Sequence, residues 1–396
     1  MRLILKLLVG LCCGIIVGFY GSDQLIRLML TFKHFGAELI NYTIPFIIFF
    51  YIASGIASLA TNSRTLLLKT VLFSYTFTII ASVIAFIIAK FTFTGLSGFT
   101  QDIVHQPLTL TGFLDIEIPP VFSVMTALIS AFVFGMGITI TKSSALKQVI
   151  DEAANIVELF LMRVIIPLLP FYIAGVFATM AAEGTVFSAI KSFGFVLGLA
   201  LCVHWLWLSL QYVIVGVLSG QSPFKLLRTM LPAYFTALST MSSAATIPVT
   251  LNQTKKLGVN PNIAQFTIPL CATIHIAGSA ITLVICATAV IISQGQTMPT
   301  MSSMFPFIIM LGLIMVAAPG VPGGGVMAAS GLLVSMLGFS QAELALMIVL
   351  YIAQDSFGTA CNVTGDGAIS ILVDQSSKEA VLNQPDTELE SETVIE

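Results

Sequence analysis

"SPFKLLRTMLPAYFTALSTMSSAATIPVTLNQTKK", residues 222–256, has a basic pair near each end, Lys225 with Arg228 and Lys255 with Lys256, around a centre of small and hydroxyl residues. In a membrane protein Lys and Arg gather at the cytoplasmic ends of spans, so a full crossing would leave one pair on the wrong side. A segment that dips in and returns keeps both pairs in the cytoplasm. Each arm then holds about 12 residues, or about 18 Å of helix, too short to cross about 30 Å of hydrocarbon. The stretch is therefore predicted to be a re-entrant helical hairpin with its tip over residues 239–246. Irregular backbone at that depth must be buried in protein or line a cavity. The competing reading is an ordinary helix with a kink.

The membrane setting follows from composition. Hydrophobic residues make up 57% of the 396 and charged residues only 9%, with a mean hydropathy of +1.01, whereas about 25% of a soluble domain is charged. The net charge of −3 gives no reason to expect a nucleic-acid partner. A β-barrel needs segments of about 10 residues with alternating polarity, and "VIAFIIAKF" (83–91) and "FVLGLALCVHWLWL" (195–208) do not alternate. Helical spans are predicted at 3–21, 38–60, 67–92, 121–141, 155–181 and 188–218, each near the roughly 20 residues a bilayer requires. The first begins with Arg2 and Lys6 like a signal peptide, but it ends in "GFYGSDQ" without a small-residue cleavage site and reads as a retained span. The six cysteines are scattered apart from Cys12–Cys13, with neither metal-ligand spacing nor a disulfide framework.

Six crossings return the chain to its starting side. Arg2, Lys6, Arg64, Lys69, Lys142, Lys147, Lys225 and Arg228 all fall on that side, which makes it the cytoplasm, although Arg27, Lys33, Lys90 and Lys191 fall opposite. The next span, 262–293, leads to the basic-free outer stretch "SQGQTMPTMSSM". Residues 304–340 then mirror the first hairpin, with no Lys or Arg and the centre "APGVPGGG" (318–325), whose prolines and glycines cannot continue a helix. A phosphate-cradling loop is the alternative, but no G-K-[ST] follows. A last span at 343–373 returns to the cytoplasm, and the acidic residues after it read as a short disordered tail. The fold class is thus all-α and polytopic: eight transmembrane helices plus two opposed re-entrant hairpins in an inverted repeat. Such repeats are typical of secondary transporters, with substrate bound near the midplane where broken helices meet.

The last span contains Asp355, Asn362 and Asp366. At about 100° per residue, all three return to within about 20° of one direction and share a face about 16 Å long. Ionisable groups at membrane depth are costly and mark a site or pathway. Asp355 can receive an ammonium group, Asp366 can neutralise a bare cation, and Asn362 both donates and accepts. The bland reading is a polar cluster satisfied by neighbouring helices.

At this point the chain resembles the dicarboxylate/amino acid:cation symporters, the glutamate-transporter homologues. "SSAATIPVT" (242–250) is similar to their serine-rich first hairpin and "IPLCATIHIAG" (268–278) to their broken seventh helix. "GVPGGG" (320–325) and "DSFGTACNVTGD" (355–366) match the second hairpin and the last-helix signature. The resemblance runs the length of the chain in order. It implies a homotrimer of elevator-type transporters in the cytoplasmic membrane, both termini cytoplasmic, with sodium as coupling ion and no other cofactor. Residues 1–221 would form the scaffold and trimer contacts, with the third and sixth spans lent to the mobile part; 222–375 would be the transport core and 376–396 the tail. Asp355 would bind the substrate amine beside Thr359, and Asn362 with the backbone at Ser243 its carboxylate. Val321 would gate it, and Ser242, Ser279, Gly325 and Gly358 would line the pocket. One sodium would sit on Asp366 with carbonyls of Cys271, His275 and Asn362. A second would use carbonyls of Thr273, Met315, Val316 and Ala318, where half-helix C-termini present partial negative charge.

Two departures bear on substrate and coupling. Family members that carry acidic amino acids have an arginine in the slot of Gly358, so here a side-chain carboxylate would be desolvated without a partner, at a cost of several kcal/mol. A neutral amino acid is expected. The family's N-M-D-G reads His275-Ile276-Ala277-Gly278, which removes the carboxylate of a third sodium site. His275 is read as a neutral buried histidine; the competing reading is a proton carrier, since its ordinary pKa of about 6.5 is physiological. His204, in an apolar run, is read as structural. Asn41, Asn252 and Asn362 open N-x-[ST] triplets in or near the membrane, where no glycosylation is expected. The leading expectation is sodium-coupled symport. The alternatives are a proton-coupled or acidic-amino-acid symporter, a passive ion channel, and a membrane enzyme supported only by paired aspartates.

Overall fold

The computed structural model describes residues 2–58, 64–95, 110–114, 116–184, 186–316, 318 and 323–382, and among these there are helices and no strands. Six helical stretches are long and apolar enough to cross a membrane: Asp23–Ala57, Thr65–Thr94, Ser144–Ala182, Phe193–Ser219, Pro261–Ser293 and Gln341–Ser377. Shorter apolar helices, Leu5–Tyr20 and Ile129–Thr141, fall where the first and fourth spans are expected.

In chain order the helices are α1 (Arg2–Tyr20), α2 (Asp23–Ser58), α3 (Arg64–Gly95), α4 (Val124–Thr141), α5 (Ser144–Phe160), α6 (Ile166–Ala182) and α7 (Val186–Ser219). There follow α8 (Pro223–Thr240), α9 (Ser243–Lys256), α10 (Pro261–Ile274), α11 (Ala277–Ser293), α12 (Met301–Met315), α13 (Gly324–Leu337) and α14 (Gln341–Leu382). Their starts carry the expected caps: Ser123, Ser143, Ser242 and Thr300 each accept a backbone N–H of the first turn, and Pro223 and Pro261 open α8 and α10. A π-helical turn, Leu161–Ile165, joins α5 to α6 just before Pro167. It makes room where the proline ring would otherwise meet the preceding carbonyl.

Three boundaries differ from the sequence reading. Helix α2 begins at Asp23, about four turns before residue 38, because the charges that read as a loop have partners. Arg27 donates to the Thr111 carbonyl (3.0 Å) and lies over the Phe113 ring, and Lys33 donates to Thr179 Oγ1 (3.3 Å). The amphipathic α5 likewise precedes the expected start at 155, its Asp151 held by Lys147 (2.7 Å) and Ser54 (2.5 Å). In the hairpin candidate the turn falls at Met241, whose φ of 54° is left-handed, so α8 has 18 residues and α9 14. The first arm is thus about 27 Å long rather than about 18 Å, and the chain passes from α8 to α9 through a left-handed residue, with the two helices packed on each other.

The helices pack in two groups. Helices α1, α2, α4, α5 and α6 pack mainly on one another and α3 mainly with α7–α14, and the groups meet where α13 touches α2 and α4 and where α6 touches α7 and α14. In the second group α11 is buried on every side from Ala277 to Ile292, and α14 is surrounded by α3, α7, α8, α9, α10, α11 and α13. The first group and α7 turn apolar side chains such as Leu8, Ile140 and Val217 outward, as suits helices facing lipid tails. The acidic tail from residue 383 lies outside the described residues.

Candidate functional site

Helix ends converge inside the second group. Helices α9, α11 and α13 begin at Ser243, Ala277 and Gly324, and α10 and α12 end at Ile274 and Met315. A cavity of about 100 Å³ lies among them. Its wall takes Ser243 and Ala244 from the start of α9, Ile276, Ser279 and Gly325 from the starts of α11 and α13, and Ala272, Thr273 and Ala318 from beside the ends of α10 and α12. Free N–H groups at helix starts carry partial positive charge, and free carbonyls at helix ends carry partial negative charge. The same small space therefore favours an anionic group at one side and a cation at the other.

Helix α14 supplies the rest of the wall with Tyr351, Asp355, Thr359 and Asn362, spaced by four, four and three residues so that they form one stripe. Asp355 is the only Asp, Glu, Lys, Arg or His among the described residues lining the cavity. Its Oδ2 accepts the Gly323 N–H at 2.8 Å, which fastens the start of α13 to α14. Asn362 Oδ1 accepts the N–H groups of Gly278 (2.7 Å) and Ser279 (3.3 Å), and its Nδ2 donates to Ser279 Oγ (3.0 Å). The amide thus caps the first turn of α11. The helices approach so closely here that a Cβ on Gly278 would strike the Gly358 carbonyl oxygen and lie 2.6 Å from Cys361 Cβ.

The predicted residues divide into three sets. Ser243, Ser279, Gly325, Asp355, Thr359, Asn362, Thr273 and Ala318 line the cavity. Gly358 backs it, with space for a Cβ at 3.4 Å from Ser279, while Ser242 caps α9 and Met315 and Val316 form the end of α12. Asp366 is not part of the wall, so the line of three polar residues is divided by depth: Asp366 Oδ1 lies 2.9 Å from His275 Nδ1, with both side chains buried. Cys271 is close by, its backbone oxygen accepting the His275 N–H and its sulfur 3.7 Å from Ser74 Oγ. Val321 lies outside the described residues.

Sequence reasoning passed over Tyr351 and saw no polar companions for His204. Tyr351 reads as core in "LMIVLYIAQ", but it lies four residues before Asp355, the spacing that puts two side chains on one helix face. His204 is buried as expected, yet it has polar partners: its Nε2 is 2.9 Å from the Gly278 oxygen and 3.1 Å from Thr282 Oγ1, tying α7 to the first turn of α11.

A cavity framed by helix ends and lined by one carboxylate, in a bundle with six helices able to cross a bilayer, has the arrangement typical of secondary transporters. Comparison with known proteins narrows the class: residues 3–376 match the sodium:dicarboxylate symporter family, and the chain belongs to that family. Among similar proteins, the serine/threonine transporter SstT of Acinetobacter baumannii strain ATCC 17978 is 26% identical over 401 residues, covering 96% of this chain and 98% of its own. The protein of the same name from strain SDF is 30% identical over 261 residues, covering 63% and 64%.

Proposed function

We propose that the protein is a sodium-coupled symporter of a neutral amino acid in the cytoplasmic membrane. The observation that carries this reading is Asp355 as the one charged side chain lining the cavity among the described residues. It matches one ammonium group, and the helix starts with Thr359 and Asn362 match one carboxylate. A second carboxylate has no cationic partner, and burying it unpaired is costly. The cavity is also far smaller than the roughly 300–1,000 Å³ of pockets for drug-sized ligands, which fits a small amino acid. The relatives named as serine/threonine transporters agree with this substrate class.

Asp366 with carbonyls of Cys271, His275 and Asn362 forms one proposed sodium site, and carbonyls of Thr273, Met315, Val316 and Ala318 form the second. The carbonyl-bearing ends of α10 and α12 support the second. That α1, α2, α4, α5 and α6 pack mainly on one another, and α3 mainly with α7–α14, supports a scaffold and a mobile core moving as an elevator, with α13 against α2 and α4 at their boundary. The chain then has eight crossings and two hairpins, cytoplasmic termini and a homotrimeric assembly.

The test is thermal stability of the purified protein against the twenty amino acids, with and without sodium, since binding raises apparent stability by mass action. Small neutral amino acids should stabilise it, more so with sodium, while aspartate and glutamate should not. Gly358→Arg should move preference toward the acidic ones. Tight aspartate binding by the unmodified protein would overturn the substrate assignment. Transport that ignores sodium, follows a proton gradient and disappears in His275→Ala would overturn the sodium assignment.

A further inference from the structure

We infer that Tyr351, with Ser279, forms the subsite that reads the substrate side chain and selects a small hydroxyl-bearing one; this rests on the amino-acid symport reading above. Tyr351 is 1% exposed yet lines the cavity, one helical turn before Asp355. Ser279 and Asp355 line the same cavity. The Tyr351 hydroxyl oxygen lies where a Cβ on Gly325 would be, so the phenol has taken up the space at the start of α13. Gly358, one turn beyond Asp355, contributes no side chain to the wall.

With the amine at Asp355 beside Thr359, the carboxylate toward Asn362 and Ser243, and the Thr273 hydroxyl donating to the Leu270 carbonyl, the Tyr351 and Ser279 hydroxyls are left for the third substituent. Each donates one hydrogen bond and accepts others, so the pair can take in a substrate hydroxyl without leaving a group unpaired. The bulk of the ring pressed on Gly325 limits length. A substrate without the hydroxyl forfeits about one net hydrogen bond, and an oversized side chain meets a packed wall that yields little.

Sodium-driven uptake into proteoliposomes, with L-serine, L-alanine and L-valine as probes, tests this. Tyr351→Phe should raise the KM for serine roughly 3- to 10-fold more than that for alanine, the scale of one net hydrogen bond. Gly325→Ala should lose uptake through collision with the phenol, and the double variant Gly325→Ala with Tyr351→Ala should regain it with valine now accepted. An unchanged serine-to-alanine ratio in Tyr351→Phe, or no rescue in the double variant, overturns the inference while leaving amino-acid symport standing. Absence of sodium-driven uptake of any neutral amino acid by the unmodified protein overturns both.

Discussion

Asn362 illustrates how a single amide at the cavity wall holds a helix start in place. Its oxygen holds two N–H groups at the start of α11 and its NH₂ holds Ser279, so replacing it strands donors that water cannot reach. Each stranded group costs about 1–3 kcal/mol. Asn362→Ala should therefore lower the melting temperature of the ligand-free protein as well as weaken binding; a variant as stable as the parent would mean that α11 finds another cap. The sequence identifies Asn362 as a donor and acceptor at membrane depth. It does not identify the partners, because Gly278 and Ser279 are 84 and 83 residues away and reach it only when two helices cross. Tyr351 was hidden for a different reason: an aromatic ring among aliphatic neighbours is ordinary in a buried helix.

At the scale of elements, breaks were legible and lengths were not. The serine-rich tip, the H-I-A-G interruption and the Pro/Gly run all fall at helix ends in the structure, since proline, glycine and side-chain caps act locally. The extents of α2, α5 and α8 depended on distant partners for Arg27, Lys33 and Asp151 and on where the chain turned at Met241. Cysteines introduced at 225 and 256 should both react only from the cytoplasmic side; labelling of one from each side would make α8 and α9 a full crossing. The end of α4 offers a stability test, because exposed Lys142 caps it at φ 53°, a conformation that costs a side chain about 1–2 kcal/mol. Lys142→Gly should raise the melting temperature, and a drop would show that the lysine side chain itself holds the α4–α5 corner.

For the whole molecule, the proposed symport places the amino acid in a cavity built from helix ends with ion sites beside it, so the two affinities should be coupled, and by linkage each raises the other equally. Sodium should increase substrate affinity, and Asp366→Asn should weaken that effect strongly; equal sodium dependence in parent and variant, read by titration of the purified protein, would remove Asp366 from the coupling. The hydrogen bond from the Gly323 N–H to Asp355 ties the start of α13 to α14. On the symport reading, a carrier that keeps this bond between loads holds α13 docked on α14 instead of letting it swing open. A carrier that shuts while empty can make its return stroke unloaded, so it accumulates solute rather than merely swapping one molecule for another. Uptake into vesicles with no internal amino acid should then proceed without preloading, whereas a strict requirement for preloaded solute would mean that the empty carrier stalls.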